Sequence, residues 1–422
     1  DDVEHYVSGL VAYRKFLLNS PDKTPIGVLD QAAASATGST QADGPILAWA
    51  GDVNLGRRMH YRPHTLGFDK VLSQVPVLKA ADLTVVNLEC VVSNQGEQGF
   101  DKGESGPYYY RARPEMLNIL VQGGVDVLCT ANNHSGDYGH DALLDQLHWA
   151  QVASLGFVGT GHNSQSAFKP LIRQLGDVRI ALFNFDLTQK RFAATGTQPG
   201  TAYLDPIAPE SWKAQVEDCF QRAHEQAHLV VVALHWGNNW STQPDPRTRT
   251  CAHALIECGA DLLLGASAHV LHGVEVHRGV PIVYDAGDFL FDSIRKCVTS
   301  GVFLCELGMH GVRSVVYVPV GSEFGYTRQY HGHEAVSACE DFERKCQALG
   351  TLVQNQGERV LIVLPQKEQV PGGVRMLHDK LPAPADPKMI VSVPSLLDTC
   401  CVPSVPTAAL INLNTEQCQW GP

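Results

Sequence analysis

At 422 residues the chain exceeds the size at which single cores usually stop growing, so one large domain with extensions, or two domains, is expected. A hydrophobic content of 44% with 18% charged residues describes an ordinary globular protein, and a net charge of −12 without any Lys/Arg-rich run argues against a nucleic-acid groove. No apolar run approaches the roughly 18 residues that a membrane span needs, and a start at Asp1 leaves cytoplasmic and exported or cell-surface locations both open.

Residues 1–44 read as an N-terminal arm and linker, with an amphipathic helix predicted over 5–18 and a Gly/Ser/Ala/Thr-rich stretch over 32–44. From Ile46 the pattern changes. Apolar runs of strand length recur at 46–50, 83–86, 125–129, 178–183, 229–234, 262–264 and 281–284. Between them lie stretches of helical period and length at 68–80, 114–122, 141–155, 209–226 and 248–258. Such alternation implies a layered α/β fold built on βαβ units.

Runs 301–307 and 312–318 follow each other without a long helix, which predicts an antiparallel hairpin completing a second sheet. A helix is predicted over 331–350 and a strand over 360–364, followed by a segment rich in Pro, Val and Thr to residue 422. The expected division is therefore an arm at 1–44, a catalytic domain at 45–320 and a C-terminal extension at 321–422. Most of the twelve cysteines sit in apolar strand or helix contexts and read as small buried hydrophobes. Cys339, Cys346, Cys400, Cys401 and Cys418 occupy loop-like sequence where disulfides are more plausible, and no zinc-type spacing occurs.

Five polar motifs fall at or just after strand ends: Gly51-Asp52-Val53-Asn54, Asn87-Leu88-Glu89, Asn132-Asn133-His134, His235-Trp236-Gly237 and Ser267-Ala268-His269. In an open α/β sheet ligands bind outside the carboxyl ends of the strands, so residues delivered there by separate strands can share one site. Asp, Glu, Asn and His are also donors for divalent metals. Asp52 at its turn either ligates a metal or caps the following turn. Glu89 ends an almost wholly apolar strand, and a carboxylate buried there needs a cation or a partner such as Arg111 or Arg113. Asn132, Asn133 and His134 offer one ligating carbonyl oxygen and one general acid or base, or form an Asn-rich turn. His235 ends the most apolar strand, where a lone histidine is more often a core residue than a ligand. His269 is followed by His272 and by Asp285, Asp288 and Asp292 around Gly287. The set as a whole is what points to a shared site. There is no Walker loop, no Gly-x-Ser-x-Gly elbow and no His-Glu-x-x-His, and Gly159-Thr160-Gly161 is weak as a dinucleotide motif.

Taken together with Gly259-Ala260-Asp261-Leu262, His269-Val270-Leu271-His272-Gly273 and Gly287-Asp288-Phe289-Leu290-Phe291-Asp292, these segments resemble the capsule-synthesis CapA and poly-γ-glutamate synthesis PgsA family, in family order over 46–293. That family's fold is similar to calcineurin-like metallophosphoesterases. The resemblance implies a two-sheet α/β/β/α sandwich with N- and C-terminal extensions and one or two divalent metals at the sheet edge, with Mn, Zn, Fe and Ca equally compatible. It implies Asp52, Glu89, Asn133, His235 and His269 as ligands, Glu89 bridging if there are two metals. His134 would be the acid/base, with Asp52 or His269 as further candidates for a base, and Arg57, Asn87, Asn132, Trp236 and His272 would contact substrate. Three positions depart from the family pattern. Gly265-Ala266-Ser267-Ala268-His269 replaces a His-rich run and removes one expected imidazole, Asn238 or Asn239 stands where Glu is common, and Asp288 replaces an Asn.

The resemblance implies a metal-dependent enzyme acting on an amide-linked acidic polymer or peptide, and the acidic net charge separately argues against a nucleic-acid partner. Two alternatives use the same fold. One is a peptide Cα epimerase of the lasso-peptide type, and the other is a non-catalytic accessory protein that binds polymer.

Overall fold

In the computed structural model, which describes residues 44–60, 62–99, 101–103, 107–292 and 298–365, the strand Ile46–Val53 is buried from Leu47 onward and so needs a layer on each face. The predicted helix at 5–18, nearly all of the linker, the segment beyond 365, and Cys297, Cys400, Cys401 and Cys418 lie outside the described residues.

Ile46–Val53 sits within the larger sheet. The spatial order is Val353–Asn355, Val360–Ile362, Gly311–Glu323, Val298–Gly308, Ile46–Val53, Leu83–Leu88, Val127–Cys129 and Gly156–Val158, with Asp288–Leu290 paired alongside Ile46–Val53. The Ile46 to Val158 half is parallel and the C-terminal half antiparallel. The smaller sheet runs Val274–His277, Val280–Val283, Leu262–Ala266, Leu229–His235, Val178–Asp186 and Leu171–Leu175, parallel through its centre. The chain is thus a mixed α/β protein with more than one sheet.

The strand period of two divides the apolar side chains between the two faces of each sheet. Leu47, Trp49, Val85 and Val127 of the larger sheet meet Ile180, Leu182, Val231 and Leu264 of the smaller one in a shared core. On the opposite faces, Ala48, Val86 and Leu128 pack with Leu117, Leu120 and Ala150, and Phe183, Val230 and Val232 pack with Val216, Phe220 and Leu255. The two sheets therefore lie face to face with helices outside them. The Trp49 indole donates to the Gly265 carbonyl at 3.1 Å and ties one sheet to the other just below the polar strand ends.

Several expectations need correction. The hairpin Val298–Gly308 and Gly311–Glu323 extends the sheet that contains Ile46–Val53 rather than completing the other one. Position 320 lies inside Gly311–Glu323, and the helix Gly332–Ala348 buries Cys339, Phe342 and Cys346 in the shared core, so the folded unit does not end there. Cys339 and Cys346 are free thiols. The helix expected over 68–80 is reduced to Phe68–Lys70 and Val77–Ala80, because Pro76 donates no backbone hydrogen bond and disfavours helical geometry at Val75. No helix among the described residues is long and apolar enough to cross a membrane.

Candidate metal centre

The parallel strands deliver their polar ends to one edge. Asp52 lies near the end of Ile46–Val53, Glu89 follows Leu83–Leu88, Asn133 and His134 follow Val127–Cys129, His235 ends Leu229–His235, and His269 follows Leu262–Ala266. Gly51 shapes the first of these: its φ of +80° suits glycine, and a Cβ there would meet the Gly287 carbonyl oxygen at 2.5 Å. That close approach lets the Asp52 N–H bond to Gly287 and turns the Asp52 side chain toward the edge.

Glu89 is the centre of the arrangement. It is fully buried, and neither carboxylate oxygen has a hydrogen-bond partner among the described residues. Three imidazoles aim their Nε2 atoms at its Oε1: His269 at 3.7 Å, and His134 and His235 at 3.9 Å each. Burial pushes the Glu89 carboxyl well up, against the pull of His269. A buried carboxylate without donors is costly unless a cation compensates it.

The surrounding hydrogen bonds fix the other donors. Asn87 Nδ2 donates to Asp52 Oδ1 at 2.7 Å and lies 3.1 Å from His235 Nδ1, which leaves His235 Nε2 facing Asn133 Oδ1 at 2.9 Å. Asn132 braces this network from behind by donating to the Leu88 carbonyl at 2.9 Å. Asp52 also accepts from the Ser267 N–H, and burial raises its carboxyl to about 6, with His269 working the other way. His269 Nδ1 sits 2.8 Å from Asp288 Oδ1, and ligand atoms of Asp52, His269 and Asp288 all lie within 4.8 Å of one another. Burial lowers the His269 pKa, but Glu89, Asp288 and Asp52 outweigh it and raise it well above the usual value. Acidic oxygens therefore outnumber positive charge at this edge, and the oxygen and imidazole donor set suits a divalent transition metal.

His134 is held differently. Its Nδ1 is 2.5 Å from Asp137 Oδ2, its ring stacks on Tyr110 at 3.9 Å, and its Nε2 is left pointing toward Glu89. Asp137 also accepts from the Tyr110 N–H at 2.6 Å and pairs with the fully buried Lys102 ammonium at 3.0 Å. Burial raises Asp137 to about 7 despite Lys102, and burial together with Lys102 pushes His134 well below its usual value, which favours the neutral ring. A neutral imidazole oriented by a carboxylate, with one free nitrogen at the centre, is suited to proton transfer.

The structure brings together Asp52, Glu89, Asn133, His134, His235 and His269, with Asn87 and Asn132 behind them. Arg57 lies at the mouth, 3.3 Å from Asp292. Trp236 and His272 are not brought to the centre. The Trp236 indole is buried in the outer core and donates to the Tyr284 carbonyl, and His272 Nε2 lies 2.8 Å from the Ser241 carbonyl. Sequence reasoning missed Asp137, Lys102 and Tyr110. Only the elaborate Ser135 to Gly139 loop carried a signal for Asp137, and nothing local marks a lysine 32 positions from its histidine.

A second cluster offers similar residue types. His253, Glu275 and His277 bring their ligand atoms within 4.8 Å of one another on the Pro246–Glu257 helix and the Val274–His277 strand. Here the carboxylate is saturated: Glu275 pairs with His253 at 2.9 Å and accepts from Arg249 at 3.2 and 3.3 Å and from the Tyr284 hydroxyl at 2.6 Å.

The profile of the bacterial capsule synthesis protein PGA_cap family matches residues 46–293, more than half of the chain and all of the strand ends described above. The chain belongs to this family. A capsule biosynthesis protein CapA of Bacillus anthracis is 30% identical over 248 residues, covering 58% of this chain and 59% of that protein. A PGA biosynthesis protein CapA of Bacillus subtilis is 32% identical, covering 58% and 63% respectively. A probable polyglutamine synthesis accessory protein of Mycobacterium tuberculosis is 28% identical, covering 50% and 56%. The chain thus spans less than two thirds of the length of each of these relatives. The CapA resemblance drawn from the motifs holds.

Proposed function

We propose that this PGA_cap chain is a divalent-metal-dependent enzyme acting on an amide-linked acidic polymer or peptide, with the layered fold of calcineurin-like metallophosphoesterases. The observation that carries the reading is the buried Glu89 carboxylate, without a hydrogen-bond partner among the described residues, beneath three imidazole nitrogens. Asp52, Glu89, Asn133, His235 and His269 would hold the metal, and Asp288, 2.8 Å from His269, joins them as a ligand or as the group that orients that ring. When bound, the metal would supply Lewis-acid polarisation of the scissile or exchanging carbonyl.

The protein's own residues do the rest. Asp137 holds the His134 Nδ1 proton and leaves Nε2 free to take a proton from, or return it to, the reacting group at the Glu89 side. Lys102 keeps Asp137 in place and disfavours a second proton on His134. Tyr110 stacks flat against the ring and fixes its plane. Folding of residues 45–362 as one unit supports assigning the catalytic domain to that whole stretch rather than to 45–320.

The test is to incubate manganese- or zinc-loaded protein with poly-γ-glutamate and with acidic peptides in D2O. Cleavage marks a hydrolase, and unchanged mass apart from deuterium at Cα marks an epimerase. Neither outcome from any loaded form would sink the enzymatic reading. The name of the Mycobacterium tuberculosis relative favours a second one, an accessory protein without turnover. On that reading, chelation leaves polymer binding intact.

A further inference from the structure

The aromatic residues around the centre form a connected rim. His134 stacks on Tyr110, Tyr110 meets Phe291 edge-on at 5.9 Å, Phe291 meets His269 edge-on at 5.2 Å, and His269 faces Trp240 at 5.4 Å. At the two ends of this chain of rings stand Trp240 and, beside Tyr110, Tyr108. They are 66% and 65% exposed, the one exposed tryptophan and the one exposed tyrosine among the described residues. Trp and Tyr side chains carry a large apolar ring with a polar tip, and two of them left in water beside one polar cluster offer contact surface to a bound chain.

The backbone agrees. Of the six non-glycine residues with positive φ among those described, Arg57, Trp240, Ser267 and His269 all border the centre. Trp240 adopts φ +65° and its N–H bonds to the Ala268 carbonyl at 2.8 Å, which locks the indole beside the His269 loop. Arg57 adopts φ +54°, and its guanidinium lies over both Tyr108 and Tyr110 at 5.7 and 5.4 Å. Asp292 and the Tyr110 hydroxyl hold its Nε and Nη1, yet its side chain stays 38% exposed. Backbone strain of this kind persists where the surroundings over-determine it, and it gathers at binding sites. A guanidinium fixed over two neighbouring rings with its side chain still partly exposed offers free N–H donors that match a carboxylate.

We infer that Trp240, Tyr108 and Arg57 form a substrate-binding rim for an anionic peptide-like chain. The two rings pack on its amide planes and methylene stems, and Arg57 takes a carboxylate, which presents the neighbouring amide to Glu89 and His134. The inference rests on the centre being the reaction site.

The experiment measures binding of a fluorescent γ-linked glutamate oligomer to metal-loaded protein, beside an α-linked glutamate oligomer and an uncharged γ-linked glutamine oligomer. Trp240→Ala and Tyr108→Ala should each raise Kd by about tenfold, the weight of one ordinary interface anchor, with metal content and melting temperature unchanged. Trp240→Phe should recover most of the loss. Arg57→Gln should weaken binding of the acidic oligomers and flatten its dependence on salt. Equal Kd in wild type, Trp240→Ala and Tyr108→Ala overturns the rim, as does a wild type that binds none of the oligomers or prefers the uncharged one. Rim-dependent binding without turnover keeps the rim and removes the enzymatic reading. Turnover whose KM ignores all three residues does the reverse.

Discussion

Glu89 and Glu275 are both buried glutamates beside histidines, yet they are opposite kinds of site. Glu275 accepts from Arg249 and Tyr284 and pairs with His253, so its charge is compensated by the protein itself. Glu89 has acidic neighbours, no donor on either oxygen among the described residues, and imidazoles held slightly beyond hydrogen-bond reach. Residue type and proximity alone would rank the two clusters together. What separates them is whether the carboxylate's lone pairs are already used, because an unsatisfied buried acceptor demands a cation and a satisfied one repels the need for it.

The largest expected effect tests that difference directly. Glu89→Gln should weaken manganese or zinc binding by more than ~100-fold, beyond the range usual for a residue that merely supports a ligand, whereas Glu275→Gln should bind metal as wild type does. Equilibrium dialysis with metal analysis on both variants decides it, and equal metal loss in the two would erase the contrast. Next comes His134→Ala, which should retain metal and melting temperature but lose about two to four orders of magnitude in turnover. His253→Ala on the other cluster should leave turnover alone. Near-native rates in His134→Ala would move the proton-transfer role elsewhere.

The two glutamates should also respond to pH with opposite sign. In metal-free protein the Glu89 pKa is raised above 4.5 by burial, so the folded state binds the extra proton and stability falls as pH rises above that value. For Glu275 burial acts upward, but Tyr284, Arg249 and His253 together pull the pKa below 4.5, so its contribution is full above that value and disappears as pH falls through the lowered pKa. Melting curves of chelated protein from about pH 3 to 8 should show Glu89→Gln gaining on wild type as pH rises above 4.5, while Glu275→Gln falls behind wild type as pH rises toward 4.5 and runs parallel to it above that value. Curves that stay parallel for all three proteins would contradict both assignments. The smallest effect is that of Tyr284→Phe, which removes one donor from Glu275 and should lower stability by about 1–2 kcal/mol without changing metal content.

Much of the centre was legible because parallel strands buried on both faces are written as continuous apolar runs, and the polar residue that ends each run marks the sheet edge. Asp52, Glu89, Asn133, His134, His235 and His269 share that signal. Adjacency to a ligand misleads, however, since successive strand residues point to opposite faces. His235 turns to the centre and Trp236 to the outer core for that reason. Lys102, Asp137 and Glu275 were hidden because their roles depend on which distant loop or helix closes over them. The strand Gly311–Glu323 runs on past the hydrophobic stretch that suggested a boundary at 320.

The order of the donors along the chain has a consequence for biosynthesis. Asn133 and His235, whose side chains meet, are 102 positions apart, and Asp52 and Ser267 are 215 apart. At usual translation rates of roughly 5–20 residues per second, the half of the centre that ends at His134 waits about 5–20 s on the ribosome for His235. During that interval the emerging chain holds carboxylates, an amide and one imidazole but not the paired sheet that closes over them. If the proposed metal binds here, its capture with full affinity would require both sheets to be made and joined, and a truncated or misassembled chain would be distinguishable by being metal-poor.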